Sequence, residues 1–152
     1  MLSDKPFIVI DLYSGRYTYD RIGHEVLNFE WNSTAQKYLG YCPPHNNIVI
    51  QRLGAKRKDT AVSNVMVIYV RKSENTSNRE IIGFTDNATI YSPGKDGSEN
   101  PGRLIKDKDG SIQHCGYCIE SDTLYDLRSL PLQEKTADVY RLQQTENRSS
   151  HC

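Results

Sequence analysis

The stretch AVSNVMVIYVRK, residues 61–72, is the strongest strand signal in the chain. β-branched and apolar residues dominate it, and such residues favour strands. Successive residues of a strand point to opposite faces, and apolar residues here occupy both faces of the second half. We therefore expect a central strand that is buried on both sides of a sheet.

Shorter strand-like stretches surround this segment and are separated by polar turns. They are PFIVIDLY (6–13), HEVLNFEW (24–31), NNIVIQRLGA (46–55), EIIGFTDNATIYS (80–92) and SIQHCGYCIESDTLYDL (111–127). The third is predicted to end at Gly54. The fourth is predicted to form two pieces around Asp86-Asn87, as a hairpin or a bulge.

The remaining segments predict loops and little helix. Residues 93–110 are rich in Pro, Gly and charge and predict a long surface loop. AQKYLGYCPP (35–44) predicts a helical turn or a strand, and LQEKTADVYRLQQ (132–144) predicts a short helix. Closely spaced strands with few helices indicate an α+β, mostly β domain, a small antiparallel β-barrel or sandwich with one or two short helices. We expect this binding domain to cover residues 1–135 and a polar tail to cover 136–152.

Composition narrows the function classes. Lys plus Arg and Asp plus Glu are 19 each, so the formal net charge is zero. This balance argues against a protein that coats nucleic acid by charge alone, but it leaves room for a local basic face. No signal-peptide pattern and no membrane-length apolar run is present, so we expect a cytoplasmic protein with reduced cysteines and no membrane contact.

Enzyme motifs are weak. His24 and Glu25 are an acid–base candidate, but neighbouring strand residues face opposite sides, and the H-E-x-x-H zinc pattern fails at Asn28. No phosphate-binding glycine motif is present. Cys115-x-x-Cys118 with His114 could hold Zn²⁺, with His151-Cys152 as a poorly spaced second half, or these could be plain cysteines. We expect no catalytic activity in this chain, no metal and no cofactor.

Basic and aromatic residues suggest a binding surface instead. Arg52, Lys56, Arg57 and Lys58 follow one predicted strand, and Asp59 is the only acid between residues 51 and 72. Such a rim can contact phosphates, or it can be a solvated loop that protects strand edges. Most of the aromatic residues must be core, but two or three rings suffice to stack a base, and an amide can read its edge.

Four stretches together resemble a known family: IGHEVLNF (22–29), GYCPPHNNIVIQRLGA (40–55), VSNVMVIYV (62–70) and IIGFTDNATIYS (81–92). YCIESDTLYDLRSLPLQEK (117–135) fits more loosely. The sequence of these stretches is similar to the amino-terminal module of HNH-type and related modification-dependent restriction endonucleases. It departs at Phe84-Thr85, where the family has Trp-Tyr, and it carries no HNH signature.

This resemblance implies a fold of the PUA-like group, which includes EVE, ASCH, YTH and SRA domains. Several of those domains take a modified base into an aromatic pocket. The implied function is a reader of DNA, with a modified cytosine as a possible target, in restriction or phage defence beside a nuclease partner or fused nuclease domain. The predicted site residues are Asn28, Phe29, Trp31, Tyr41, Arg52, Lys56, Arg57, Lys58, Phe84, Asn87 and Tyr91. A protein-interaction or oligomerisation domain, and a hydrolase with a metal at His114, Cys115 and Cys118, are the alternatives.

Overall fold

The structure, a computed structural model, describes residues 4–12, 24–42, 46–72, 78–100, 102–106, 109–128 and 150–151. Its strands are β1 (Phe7–Asp11), β2 (Trp31–Asn32), β3 (Lys37–Gly40), β4 (Ala61–Lys72), β5 (Arg79–Lys95), β6 (Leu104–Lys106), β7 (Ile112–His114), β8 (Tyr117–Ser121), β9 (Tyr125–Asp126) and β10 (Ser150–His151). One sheet has the order β10-β1-β4-β5-β8-β3-β2, with β9 paired to β5. Strands β6 and β7 form a separate hairpin.

β4 is the central strand that the sequence predicts. It pairs in parallel with β1 and antiparallel with β5. Val65, Val67 and Tyr69 pack into the main core, whereas Ile68 and Val70 pack into a second core on the opposite face. Burial on both faces explains why this segment is so apolar.

The two cores differ in size. Among the described residues, the main core holds sixteen buried residues from strands β1, β4, β5 and β8, from two 3₁₀ helices and from the connecting loops. The second core has four described buried residues, Val9, Ile68, Val70 and Ile81, with partly buried apolar neighbours. In the described part of the chain, one face of the sheet therefore carries the larger core.

β5 is one long strand rather than two pieces. Its pairing with β4 jumps from Val65 opposite Ala88 to Val67 opposite Thr85, so Asp86 and Asn87 together face the single residue Met66. The predicted bulge at these residues is confirmed. The predicted loop over 93–110 is wrong in part, because β5 continues to Lys95 and β6 lies within this range.

Two predicted strands are 3₁₀ helices. His24–Phe29 forms one, although the apolar and polar residues of HEVLNFEW alternate as in a strand. The strand in this region, β2, begins only at Trp31. Ile50–Leu53 forms another, which ends at Gly54 with φ 100°. Gly54 thus ends its segment as predicted, but as the left-handed cap of a helix. AQKYLGYCPP resolves into β3.

The mostly β class is confirmed, and most strand pairs are antiparallel. The barrel is wrong for the described residues, because their sheet is open between β10 and β2. A third 3₁₀ helix is Gly97–Glu99, and the described residues contain no α-helix. The helix predicted over 132–144 lies outside the described residues, whereas Ser150–His151 of the predicted tail pairs with β1. In the described part of the chain, no helix has the length and apolar character needed to cross a membrane.

Candidate nucleic-acid interface

A basic turn precedes β4 at one end of the sheet. We use this name for the cations Arg52, Lys56, Arg57 and Lys58, all of which are exposed. Asp59 N donates to Lys56 O at 3.1 Å, and Lys56 N donates to Asp59 Oδ2 at 2.7 Å. Gln51 Nε2 donates to Lys56 O at 3.3 Å, which ties the turn to the 3₁₀ helix that carries Arg52.

Among the described residues, these cations lack the acidic partner that some other basic residues have. Four ion pairs in that part of the chain neutralise cations. They are Lys37–Asp122, Arg71–Glu80, Arg79–Asp11 and Arg128–Asp126. Within the described residues, no carboxylate pairs with any member of the basic turn, and the Asp59 carboxylate accepts from a backbone N–H. The turn therefore concentrates positive charge in a neutral protein.

Tyr91 lies beside the basic turn. It is opposite Ala61, the first residue of β4, and Ser92 N donates to Thr60 O at 2.9 Å. Its hydroxyl donates to Glu120 Oε2 at 3.2 Å, and Lys95 Nζ is 5.0 Å from its ring centre. Burial, and then the charge of Glu120, raises the pKa of Tyr91 to about 12. Tyr91 is therefore a neutral, partly exposed ring next to unpaired cations.

Asn28 and Tyr41 are close together, and the buried Asn28 amide bonds the backbone of the half-buried Tyr41. Asn28 is 1% exposed. Its Oδ1 accepts from Tyr41 N at 2.8 Å and from Arg103 Nη2 at 2.9 Å, while its Nδ2 donates to Tyr41 O at 2.9 Å. The amide is thus engaged by the protein and is not offered to a ligand.

Arg103 holds this region together. Its Nη1 donates to Gly116 O at 2.7 Å and its Nε to Leu39 O at 3.3 Å, in addition to the bond to Asn28. The residue is 2% exposed, and burial lowers the pKa of its guanidinium below the ordinary value. A planar fork with several donors suits this role, since it can satisfy carbonyls from separate segments at once.

Trp31 borders a small cavity next to Arg103. The indole is 46% exposed and meets Tyr38 edge-on, with ring centres 5.2 Å apart. The cavity has a volume of about 90 Å³ and is lined by Leu27, Glu30, Trp31, Asn32, Ser33, Leu39, Gly102 and Arg103. An apolar cavity of about 150 Å³ accommodates benzene, so this one is too small to enclose a nucleobase. The outer face of the indole is nevertheless open for stacking.

The remaining predicted aromatic residues lie elsewhere. Phe29 is 8% exposed and packs on Tyr69, with the Arg128 guanidinium 4.4 Å above its ring. Phe84 is stacked by Tyr125, with ring centres 4.8 Å apart and 21° between the planes. Tyr125 therefore covers the face of Phe84 that a base would use. Asn87 is exposed on the bulge, where its carbonyl accepts from Ser121 Oγ at 3.3 Å.

The predicted residues thus form separate groups. The basic turn and Tyr91 lie together, and so do Asn28 and Tyr41. Trp31 is in β2, four strands from β4, which corresponds to about 19 Å at the usual strand spacing. Phe29 belongs to the core, and Phe84 is covered by Tyr125. The structure does not bring the aromatic residues and the basic residues into one pocket.

Three residues of these groups are not identified from the sequence. Lys95 lies in text that predicts a loop, but the continuation of β5 brings it to Tyr91. Arg103 follows Pro101 and Gly102, where an exposed arginine is the natural expectation. Tyr125 stacks on a residue forty-one positions away. Of these three, only Lys95 could be predicted from the sequence. If β5 is extended without a break, Lys95 lies four residues after Tyr91 and on the same face of the strand.

The cysteines do not assemble a metal centre in the described part of the chain, where no group of three His, Cys, Asp or Glu side chains could hold an ion. His114 is exposed, whereas Cys115 and Cys118 are buried free thiols. Burial raises the pKa of Cys118 to about 12, so this sulfur is a thiol rather than a thiolate ligand. Cys42 is disulfide-bonded, so the prediction of reduced cysteines is wrong for this residue.

Comparison of the chain with protein-family models, curated proteins and solved structures finds no match.

Proposed function

We propose that this chain is a non-enzymatic nucleic-acid-binding module that holds the phosphate backbone with its basic turn. The observation that carries the proposal is a set of cations without an acidic partner among the described residues, Arg52, Lys56, Arg57, Lys58 and Lys95, at one end of the sheet in a chain of zero net charge. Phosphate contacts depend on such cations, because each one releases a condensed counterion when it binds.

The ligand we propose is DNA, and the target is a modified base such as a modified cytosine. Support for the base comes from the sequence resemblance to the reader modules of modification-dependent restriction endonucleases. The same resemblance supports a role in restriction or phage defence, with a nuclease as partner or as a fused domain. Tyr91 beside the basic turn and the exposed face of Trp31 are the two rings on which a base can stack.

The test is fluorescence-anisotropy binding to matched duplexes that carry cytosine, 5-methylcytosine, 5-hydroxymethylcytosine or glucosylated hydroxymethylcytosine, with single-stranded RNA as a control. We expect tighter binding to one modified duplex. Tyr91→Leu and Trp31→Leu, measured separately, identify which ring contributes. Equal binding to all duplexes would remove the modified base from the proposal, and no binding to any of them would remove the nucleic acid.

A protein-binding domain is the second candidate, and exposed apolar side chains favour it. Trp31 is 46% exposed, Leu104 39% and Ile112 58%, and Leu104 directly follows Arg103 at the cavity. Exposed apolar residues that cluster often mark interaction surfaces. Sedimentation equilibrium across a concentration series would detect self-association through this surface, and a constant monomer mass would count against an oligomerisation role.

A further inference from the structure

The tip of the basic turn has a defined shape. Lys56 O accepts from Asp59 N, so Lys56 to Asp59 are the four residues of a β-turn with Arg57 and Lys58 at its two central positions. Neither central residue has a positive φ. The turn is therefore unstrained and does not depend on a particular side chain at its tip, so substitutions there leave it intact.

This turn lies outside the pairing of β4 with β5. The last backbone bond between the β4 and β5 chains at this end joins Ser92 N to Thr60 O, and Lys56–Asp59 come before it. All four turn residues are exposed. The carboxylate of Asp59 accepts from Lys56 N at 2.7 Å, on the backbone of the turn. The two side chains at the tip, Arg57 and Lys58, are both cationic.

The two side chains at the tip, rather than the turn backbone, select among nucleic-acid surfaces. The minor groove of B-DNA is about 6 Å wide, which excludes a turn of backbone but admits single extended side chains, whereas the major groove is about 12 Å wide. A narrow minor groove also concentrates negative potential and attracts inserted Arg and Lys side chains. Two neighbouring cationic side chains on an exposed tip match this groove in charge and can enter it while the backbone stays outside.

From this geometry we infer that the turn Lys56–Asp59 directs Arg57 and Lys58 into the minor groove of duplex DNA, while Arg52 and Lys95 contact the flanking phosphates. This inference rests on the proposed function and specifies its ligand as a B-form duplex. Duplex RNA has a wide, shallow minor groove and would not hold the turn in this way.

The experiment compares a duplex with a central A-tract, a G·C-rich duplex of equal length and the corresponding RNA duplex, by fluorescence anisotropy at 0.1 M salt. We expect the A-tract duplex to bind tightest. Arg57→Gln/Lys58→Gln should remove this preference and weaken binding by at least about tenfold, because the loss of two contacts changes the salt slope by about 1.8. A bis-benzimidazole dye, which fills the minor groove of A-tracts, should displace the wild-type protein.

Lys72→Gln/Lys106→Gln is the matched control. It also removes two exposed lysine charges, and Lys72 is at the far end of β4, about 36 Å from Ala61. This variant should keep both the affinity and the A-tract preference. An A-tract preference that survives in Arg57→Gln/Lys58→Gln, or a dye that does not compete, would overturn the groove inference alone. A wild-type protein that binds none of the three duplexes would overturn the proposed function as well.

Discussion

Replacement of Arg103 by Met removes the buried cation that links three segments of the chain. Its guanidinium donates to Gly116 O, to Asn28 Oδ1 and to Leu39 O at 2.7, 2.9 and 3.3 Å. Met retains much of the apolar volume but supplies no donor. Three acceptors therefore lose a donor at once, two of them in buried contacts and Gly116 O in a partly buried one, although Asn28 Oδ1 keeps its bond from Tyr41 N.

The expected loss of stability follows from the cost of these acceptors. A buried polar group that loses its partner costs roughly 1–3 kcal/mol. The substitution leaves two carbonyls without this donor and one amide oxygen partly satisfied. Together these losses lower the free energy of unfolding by about 3–5 kcal/mol. Burial of the guanidinium itself opposes folding, as its lowered pKa indicates, and its removal returns part of this loss. We therefore expect the free energy of unfolding to fall by about 3 kcal/mol.

Urea denaturation followed by far-ultraviolet circular dichroism measures this change. With an m-value of about 2 kcal/mol/M, a loss of 3 kcal/mol lowers the midpoint by about 1.5 M. Lys106→Met is the control, since Lys106 is an exposed basic residue in β6, the strand that follows Arg103. Its free energy of unfolding should lie within about 0.5 kcal/mol of that of the wild type. If Arg103→Met and Lys106→Met have the same midpoint, the reasoning that places Arg103 at the centre of this region is refuted.

Three further predictions concern Gly83, Asp126 and Trp31. Gly83→Ala should destabilise the protein by about 1–3 kcal/mol in the same urea assay, since the new Cβ would lie 2.5 Å from Phe29 Cε1; an unchanged midpoint would contradict this packing. Hydrogen bonds from Arg128 lower the pKa of Asp126 in the folded protein. The ionised carboxylate therefore stabilises the fold fully at pH values above its unfolded-state pKa of about 4. This contribution is lost as the pH falls through the lower folded-state pKa. Asp126→Asn should therefore lower the urea midpoint at pH 6 and bring it closer to wild type below pH 4, and a constant difference across this range would count against the ion pair. Trp31 is the only tryptophan and is 46% exposed, so acrylamide should quench its fluorescence. A bound duplex that reduces this quenching must contact β2 and not the basic turn alone.

The sequence predicts the centre of the fold well, because periodicity and burial coincide there. β4 runs from Ala61 to Lys72, as its apolar pattern predicts, and the bulge falls at Asp86-Asn87. The segments HEVLNFEW and NNIVIQRLGA were predicted less well. Each has β-branched and apolar residues, but the protein uses them for 3₁₀ turns that place a few side chains in the core. Short apolar runs do not distinguish these two outcomes.

The candidate site is predicted only where it depends on local sequence. The basic turn is contiguous in the chain, so its charge is visible in the text. The environment of each aromatic residue depends on partners far away, as with Tyr125 on Phe84 and Tyr69 on Phe29. No local pattern shows that Phe84 is covered or that Asn28 is bonded to Arg103. These contacts depend on the strand order.

The central claim, that unpaired cations at one end of the sheet bind a phosphate backbone, is tested most directly by the salt dependence of binding to one duplex. Counterion release by the five cations Arg52, Lys56, Arg57, Lys58 and Lys95, at a phosphate or in the groove, predicts that log K falls with log salt with a slope of about −4.5. The variant Arg57→Gln/Lys58→Gln should reduce this slope to about −2.7, while Lys72→Gln/Lys106→Gln leaves it unchanged. No measurable binding at low salt, or equal slopes for the two double variants, would contradict the account.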